Sequence, residues 1–154
     1  MATAAIARAY SSRRMAIVNS LVEKIKEIDG SGTFRSNVNS NVSNRLKFFD
    51  EISDFPAVHM NAGAESRVYH GGGMKDRYLT LTLRCYVNQE NAADGLEALI
   101  EDVETVLETN SRLAYTDRDN TTQYTQTITL LTIDTDEGVL EPLGVGEIVC
   151  EVRY

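Results

Sequence analysis

Apolar residues recur along this chain with two different periods, and the changes of period divide it into elements. Over 11–28, Met15, Val18, Leu21, Val22, Ile25 and Ile28 fall at steps of three and four, which predicts a helix with one apolar stripe. Ser11 or Ser12 suits its N-cap and Gly30 its stop. Over 78–87, Leu79, Leu81, Leu83, Cys85 and Val87 alternate strictly with Tyr78, Thr80, Thr82, Arg84 and Tyr86, which predicts a strand with one buried face. The helical period returns over 92–109. There Leu96, Leu99, Ile100, Val103, Val106 and Leu107 face inward, Glu97, Glu101, Asp102, Glu104 and Glu108 face outward, and Asn91 is the expected cap. A Thr-rich strand follows over 121–133, with Leu130-Leu131 hinting at a bulge. The strand over 145–154 sets Ile148, Cys150, Val152 and Tyr154 against Glu147, Glu151 and Arg153.

Between these runs the pattern is weaker. Residues 33–38, 57–60 and 65–70 are candidate short strands, and 36–44 form an Asn/Ser loop. Phe48, Phe49, Ile52 and Phe55 are expected to return the chain to the core. Gly71-Gly72-Gly73 reads as a flexible connection, 110–120 as a polar loop, and 134–138 as a hairpin turn. The resulting order is α, β, β, β, β, α, β, β. That order implies an α+β fold: a mainly antiparallel sheet with two principal helices on one face. At 154 residues one domain over 1–154 is expected, with 1–10 as either an earlier start of the first helix near Thr3, Ile6 and Tyr10 extending its stripe, or an arm that orders on a partner.

Charge changes the picture more than bulk composition does. Residues 1–89 carry twelve Lys and Arg against eight Asp and Glu, while 90–154 carry three against fifteen. The acidic half speaks against general or sequence-specific nucleic-acid affinity, which needs a basic face. The asymmetry suits either one solvated acidic helix with acidic turns or a subunit whose two sides attract head to tail. On the latter reading the cations are Arg8, Arg13 and Arg14. The anions are Glu97, Glu101 and Glu104 on the second helix, with Asp134, Asp136 and Glu137 in the turn. The loop around Gly72 and Lys75 is too polar and Gly-rich to pack a core and is a further candidate partner surface. No apolar run approaches the roughly 20 residues of a membrane span, and residues 1–14 lack the apolar stretch of a signal peptide. Cys85 and Cys150 both fall on buried strand parity, so free buried thiols are expected.

Candidate chemistry is thin. Asp134-Thr-Asp136-Glu137-Gly138 with Glu141 has the carboxylate density of a calcium loop. Its Gly stands fifth and its Glu eighth, where an EF-hand needs them sixth and twelfth. Gly71-Gly72-Gly73 lacks the Gly-Lys-Ser/Thr of a phosphate loop, and Gly144-Val-Gly146 precedes a strand, not a helix. Both are expected to be flexible or positive-φ connections. His59 and His70, at neighbouring strand ends, fall short of the three ligands a zinc site requires. No catalytic constellation, metal or cofactor is expected.

The strings Phe55-Pro-Ala-Val58, Tyr78–Val87, Leu96-Glu-Ala-Leu-Ile-Glu-Asp-Val103 and Glu141-Pro-Leu-Gly-Val-Gly146, with the ending Glu147–Tyr154, stand in the order given above. In that order they resemble the tail terminator proteins of long-tailed bacteriophages, the T-five-like siphophages in particular. The resemblance covers nearly the whole chain. It implies a small α+β structural subunit of the virion tail, without enzymatic activity, that forms a ring, typically a hexamer. Such a ring caps the finished tail tube, stops further addition of tube protein and joins the head connector. Another head–tail joining subunit is the alternative within the virion. A small α+β ligand-binding domain or enzyme is the alternative outside it.

Overall fold

The structure, a computed structural model, describes residues 12–38 and 41–154. Its helices are α1 (Arg13–Ile25) and α2 (Ala92–Thr109). Its strands are β1 (Val42–Ser43), β2 (Ala57–Tyr69), β3 (Lys75–Asn88), β4 (Ala114–Thr116), β5 (Thr122–Tyr124), β6 (Thr127–Thr135) and β7 (Leu143–Arg153). A five-stranded sheet runs β1-β2-β3-β7-β6, antiparallel except for the short β1–β2 pair, and β4–β5 form a separate two-stranded ribbon. Both helices cover one face of the large sheet, α1 over β2 and α2 over β3 and β7. The α+β expectation holds.

The core sits between that face and the helices. Leu79, Leu81, Leu83 and Cys85 of β3 are fully buried, and Val87 nearly so. Register places Ile148 opposite Leu83, Cys150 opposite Leu81, and Val152 opposite Leu79, so the in-facing rows of β3 and β7 are one surface. All six apolar residues assigned to the inner side of α2 are buried. Ser12 caps α1, its hydroxyl accepting from the Met15 amide at 3.2 Å; Ser11 lies outside the described residues. Cys85 and Cys150 are free and buried, and burial pushes both thiols up to about 12.

Six local expectations are corrected. The first helix stops at Ile25, not Ile28, and the chain turns through Lys26 and Glu27 before Gly30 (φ 79°) reverses it. Ile28 still fills the core, so burial alone does not prove helix. The 33–38 strand reduces to a single bridge between Asp29 and Asn37. Phe48 points outward, 79% exposed, in place of returning to the core. The candidate strands 57–60 and 65–70 are the two halves of β2, joined through a bulge between Ala62 and Glu65 that Gly63 and the small Ala64 make easy. Residues 110–120 are not all loop: β4 lies within them, pairs with β5, and thereby splits the expected 121–133 strand. The bulge itself is where Leu130-Leu131 suggested, between Leu130 and Thr132. Finally Asn91 precedes α2 but makes no side-chain cap bond. The carboxylate of Glu141 accepts from the Ala93 amide at 3.3 Å instead.

Gly144 and Gly146 are corrected in kind. They lie inside β7 on its buried side, not in a flexible connection. A Cβ at Gly146 would stand 2.8 Å from Ile100 Cδ1, and one at Gly144 would stand 2.7 Å from Val87 Cγ2. These glycines let α2 lie close on the sheet. Gly144→Val is therefore expected to be destabilising, because Val87 is stiff at χ1 and cannot yield. A lowered thermal midpoint relative to Gly138→Asn, made where φ is 81° and the surroundings are open, would check it.

Candidate assembly surfaces

Among the described residues no set of side chains converges as catalytic residues do. Among the described residues no group of three or more His, Cys, Asp and Glu could hold a metal ion. His59 and His70 sit near opposite ends of β2, not on adjacent strands. His59 is buried and tilts against the Tyr86 ring at 5.2 Å. Burial, then the Lys47 charge, holds its imidazole below the ordinary value. His70 instead lies 2.9 Å from Asp76, on which the Arg153 guanidinium also donates at 3.0 Å. A groove of about 230 Å³ beside His59 is lined by mixed charge, among it Lys47, Glu51 and Asp54.

The charged residues singled out from sequence fall on different elements. Arg8 lies outside the described residues, as does the proposed arm over 1–10. Arg13 is exposed at the start of α1. Arg14 beside it is half-buried and donates to the Gly63 carbonyl in the β2 bulge, so it ties α1 to its own sheet. Gly72 (φ 77°) and Lys75 form the exposed turn of the β2–β3 hairpin, with the Lys75 ammonium 5.8 Å from the Tyr69 ring. The acidic row lies elsewhere. Glu97 and Glu101 are exposed and Glu104 half-buried. With Asp94 and Glu108 they line a groove of about 580 Å³ whose other wall includes Ile133 of β6. Arg35 enters this groove and pairs with Glu101 at 3.4 Å. Asp134 is exposed at the end of β6, and Glu137 (φ 55°) is exposed in the turn that follows. Asp136 is half-buried and caps that turn, accepting from Gly138 and Leu140 amides at 3.4 and 3.3 Å. Arg14 and Asp136 therefore serve their own fold first and Glu101 is paired with Arg35, while Arg13, Lys75, Glu97, Asp134 and Glu137 present charge outward.

Two features carried no sequence signal. Asp102, expected to face water, is buried at 3% exposure and accepts backbone N–H bonds from Arg35 and Ser36. Glu65 and Tyr154 meet across the sheet, the phenol donating to the carboxylate, with Arg67 on the same carboxylate at 2.8 Å. Burial alone pushes the Glu65 carboxyl up, but the hydrogen bonds from Tyr154 and Arg67 outweigh it and hold it below the usual range. A depressed carboxyl stabilises the fold above its unfolded pKa, about 4.3, and that contribution fades as pH falls through the folded value. Wild type should thus exceed Glu65→Gln in urea midpoint at pH 6, and the gap should narrow as the pH is lowered below the unfolded carboxyl value.

Residues 11–154 match the family model of the Bacteriophage Tail Tube Terminator Protein. The tail tube terminator protein p142 of Escherichia phage T5 is 33% identical over 149 residues, covering 92% of each chain. A chain from the virion of a native gene transfer agent particle shares the fold, with a TM-score of 0.56 at 10% identity over 98% of each chain. A structural match across the described fold, a family match across 144 residues and a homologue of nearly equal extent agree. This chain belongs to the bacteriophage tail tube terminator family.

Proposed function

We propose that copies of this chain assemble head to tail into a ring, six subunits in its complete form, on the end of a finished tail tube. The ring blocks further addition of tube protein and offers its opposite surface to the head connector. The observation that carries this reading is the terminator family match over residues 11–154. The distribution of charge supports it. A ring of identical subunits needs a heterologous interface, in which two different surfaces of the same chain meet. Here the exposed cations Arg13 and Lys75 lie with α1 and the β2–β3 hairpin, and the acidic row lies with α2 and β6. The role requires no turnover. The acidic surplus would also keep DNA from adhering as it passes through the ring.

Two measurements test this. Added to polymerising tube protein of its own phage, the chain should fix tube length and leave a density cap at one end in electron micrographs. Tubes that lengthen as if it were absent would overturn the reading. Second, ring formation should weaken as salt rises from 0.1 to 1 M, since the Debye length falls from about 10 to about 3 Å. Arg13→Glu should slow assembly, and a partnered Glu97→Lys/Glu101→Lys protein should restore part of it. Sedimentation across the salt series reads both effects.

A further inference from the structure

The two ends of the large sheet carry exposed apolar groups that the chain itself leaves uncovered. At the tip of the β2–β3 hairpin Tyr69 is 70% exposed, Met74 69% and Val68 47%. The tip, residues 67–75, contains Arg67 and Lys75 and no carboxylate. In the β6–β7 turn Val139 is 82% exposed and Leu140 46%. That turn, residues 134–141, contains Asp134, Asp136, Glu137 and Glu141 and no Lys or Arg. One patch is apolar with Lys75 as its outward cation, Arg67 being paired with Glu65, and the other is apolar within an acidic frame. Large apolar groups gathered at a sheet end mark an interaction surface.

Their placement says what covers them. Register puts the start of β3 beside the end of β7, and the end of β3 beside the start of β7. The hairpin tip and the β6–β7 turn are therefore at opposite ends of the strands, and β2 and β6 lie on opposite sides of β3 and β7. The patches occupy diagonal corners, separated by roughly 13 strand steps of about 3.3 Å, or about 40 Å. Within one chain they cannot meet. Between two copies they match in both polarity and charge.

We infer that the β2–β3 hairpin tip of one subunit docks on the β6–β7 turn of the next, with Tyr69 and Met74 against Val139 and Leu140 and with Lys75 facing Glu137. This deepens the ring reading and rests on it. In a ring each subunit gives one patch to one neighbour and receives the other patch from the next, so the contact is heterologous and repeats around the ring. The opposite charges orient the encounter, and the desolvated apolar pairs hold it.

A cysteine pair tests the contact. Met74→Cys and Val139→Cys placed in one chain should give a ladder of disulfide-linked oligomers under a mild oxidant, resolved on a non-reducing gel. Either single variant should remain unlinked. The native Cys85 and Cys150 are buried, with thiols held at about 12, and should stay out of the reaction. Tyr69→Cys with Val139→Cys is a second pair on the same contact. Should one pair disturb assembly, seen as a changed mass in solution or on tubes, the other decides. Rings or capped tubes that yield no ladder with either pair overturn the docking while the terminator role stands. A chain that neither oligomerises nor caps tubes overturns both.

Discussion

Replacing Leu83 with alanine is expected to cost about 2–5 kcal/mol of unfolding free energy, while Thr82→Ala, one residue away, costs well under 1 kcal/mol. The contrast follows from strand parity. Leu83 has no exposed surface and lies at the middle of the sheet, with Met60 of β2 on one side and Ile148 of β7 on the other. Both neighbours are themselves fully buried, so nothing nearby can relax outward to fill the space a lost isobutyl group leaves. Deletion there removes the transfer energy of the side chain and adds the cost of a cavity. Thr82 faces the opposite side of the sheet, half-buried, between Asn61 and Val149. Denaturant melts of the two variants check the difference. Equal losses would mean that β3 is displaced by one residue in its register, because a slip of one exchanges the two faces.

The parts of this fold legible in the sequence are those whose period is sustained. Five alternating pairs in β3 and six inward positions in α2 each repeat one geometric instruction often enough to leave no competing choice. The terminal strand was equally plain, but its glycines were not. Gly144 and Gly146 look like punctuation to a reader of local propensity, and only the position of α2 above them shows that their missing Cβ atoms are the point. The β2 bulge hid in the same way. The stretch Asn61–Ala64 has no alternation because one extra residue is stored there, so one long strand reads as two short ones. Likewise β4 and β5, three residues each, are too short for any period and exist because they pair with each other.

The candidate surfaces were legible as charge and illegible as geometry. Counting Lys, Arg, Asp and Glu along the chain separates a basic half from an acidic half, yet the fold pairs Arg35 with Glu101 and Arg84 with Glu147 across that division. Such a count cannot tell a free cation from an anchored one. Arg13 and Arg14 are adjacent and alike in sequence, yet a helix turns successive residues to different sides, and only Arg14 meets the Gly63 carbonyl. The exposed Tyr69, Met74 and Val139 gave no signal either. An apolar residue beside a turn looks the same in sequence whether it folds inward or is held out on a hairpin.

Asp102 gives the second large effect. Asp102→Ala is expected to cost about 3–5 kcal/mol, with Asp102→Asn recovering a good part of it. On the helical wheel of α2 this residue sits between Glu101 and Val103, at the margin of the apolar stripe. Sequence assigns it to water, but the chain over 34–36 passes across that margin and covers it. The carboxylate there accepts from the Arg35 amide at 3.0 and 3.2 Å and from the Ser36 amide at 2.7 Å. An irregular segment has no strand or helix of its own to satisfy these amides, so a side chain must do it. Truncation would leave part-buried donors without their acceptor, and each charge-assisted bond of this kind is worth about 1.5–3 kcal/mol. Asparagine keeps an acceptor oxygen of the same reach but gives up the charge, hence the partial recovery. The effect should also spread to assembly. Loosening 34–36 frees Arg35, which enters the acidic groove and neutralises Glu101. Asp102→Ala should thus both lower the thermal midpoint and raise the protease sensitivity of the segment around Arg35, with Asp102→Asn intermediate in each. If alanine and asparagine prove equally stable, the hydrogen bonds to Arg35 and Ser36 do not hold that segment to the helix.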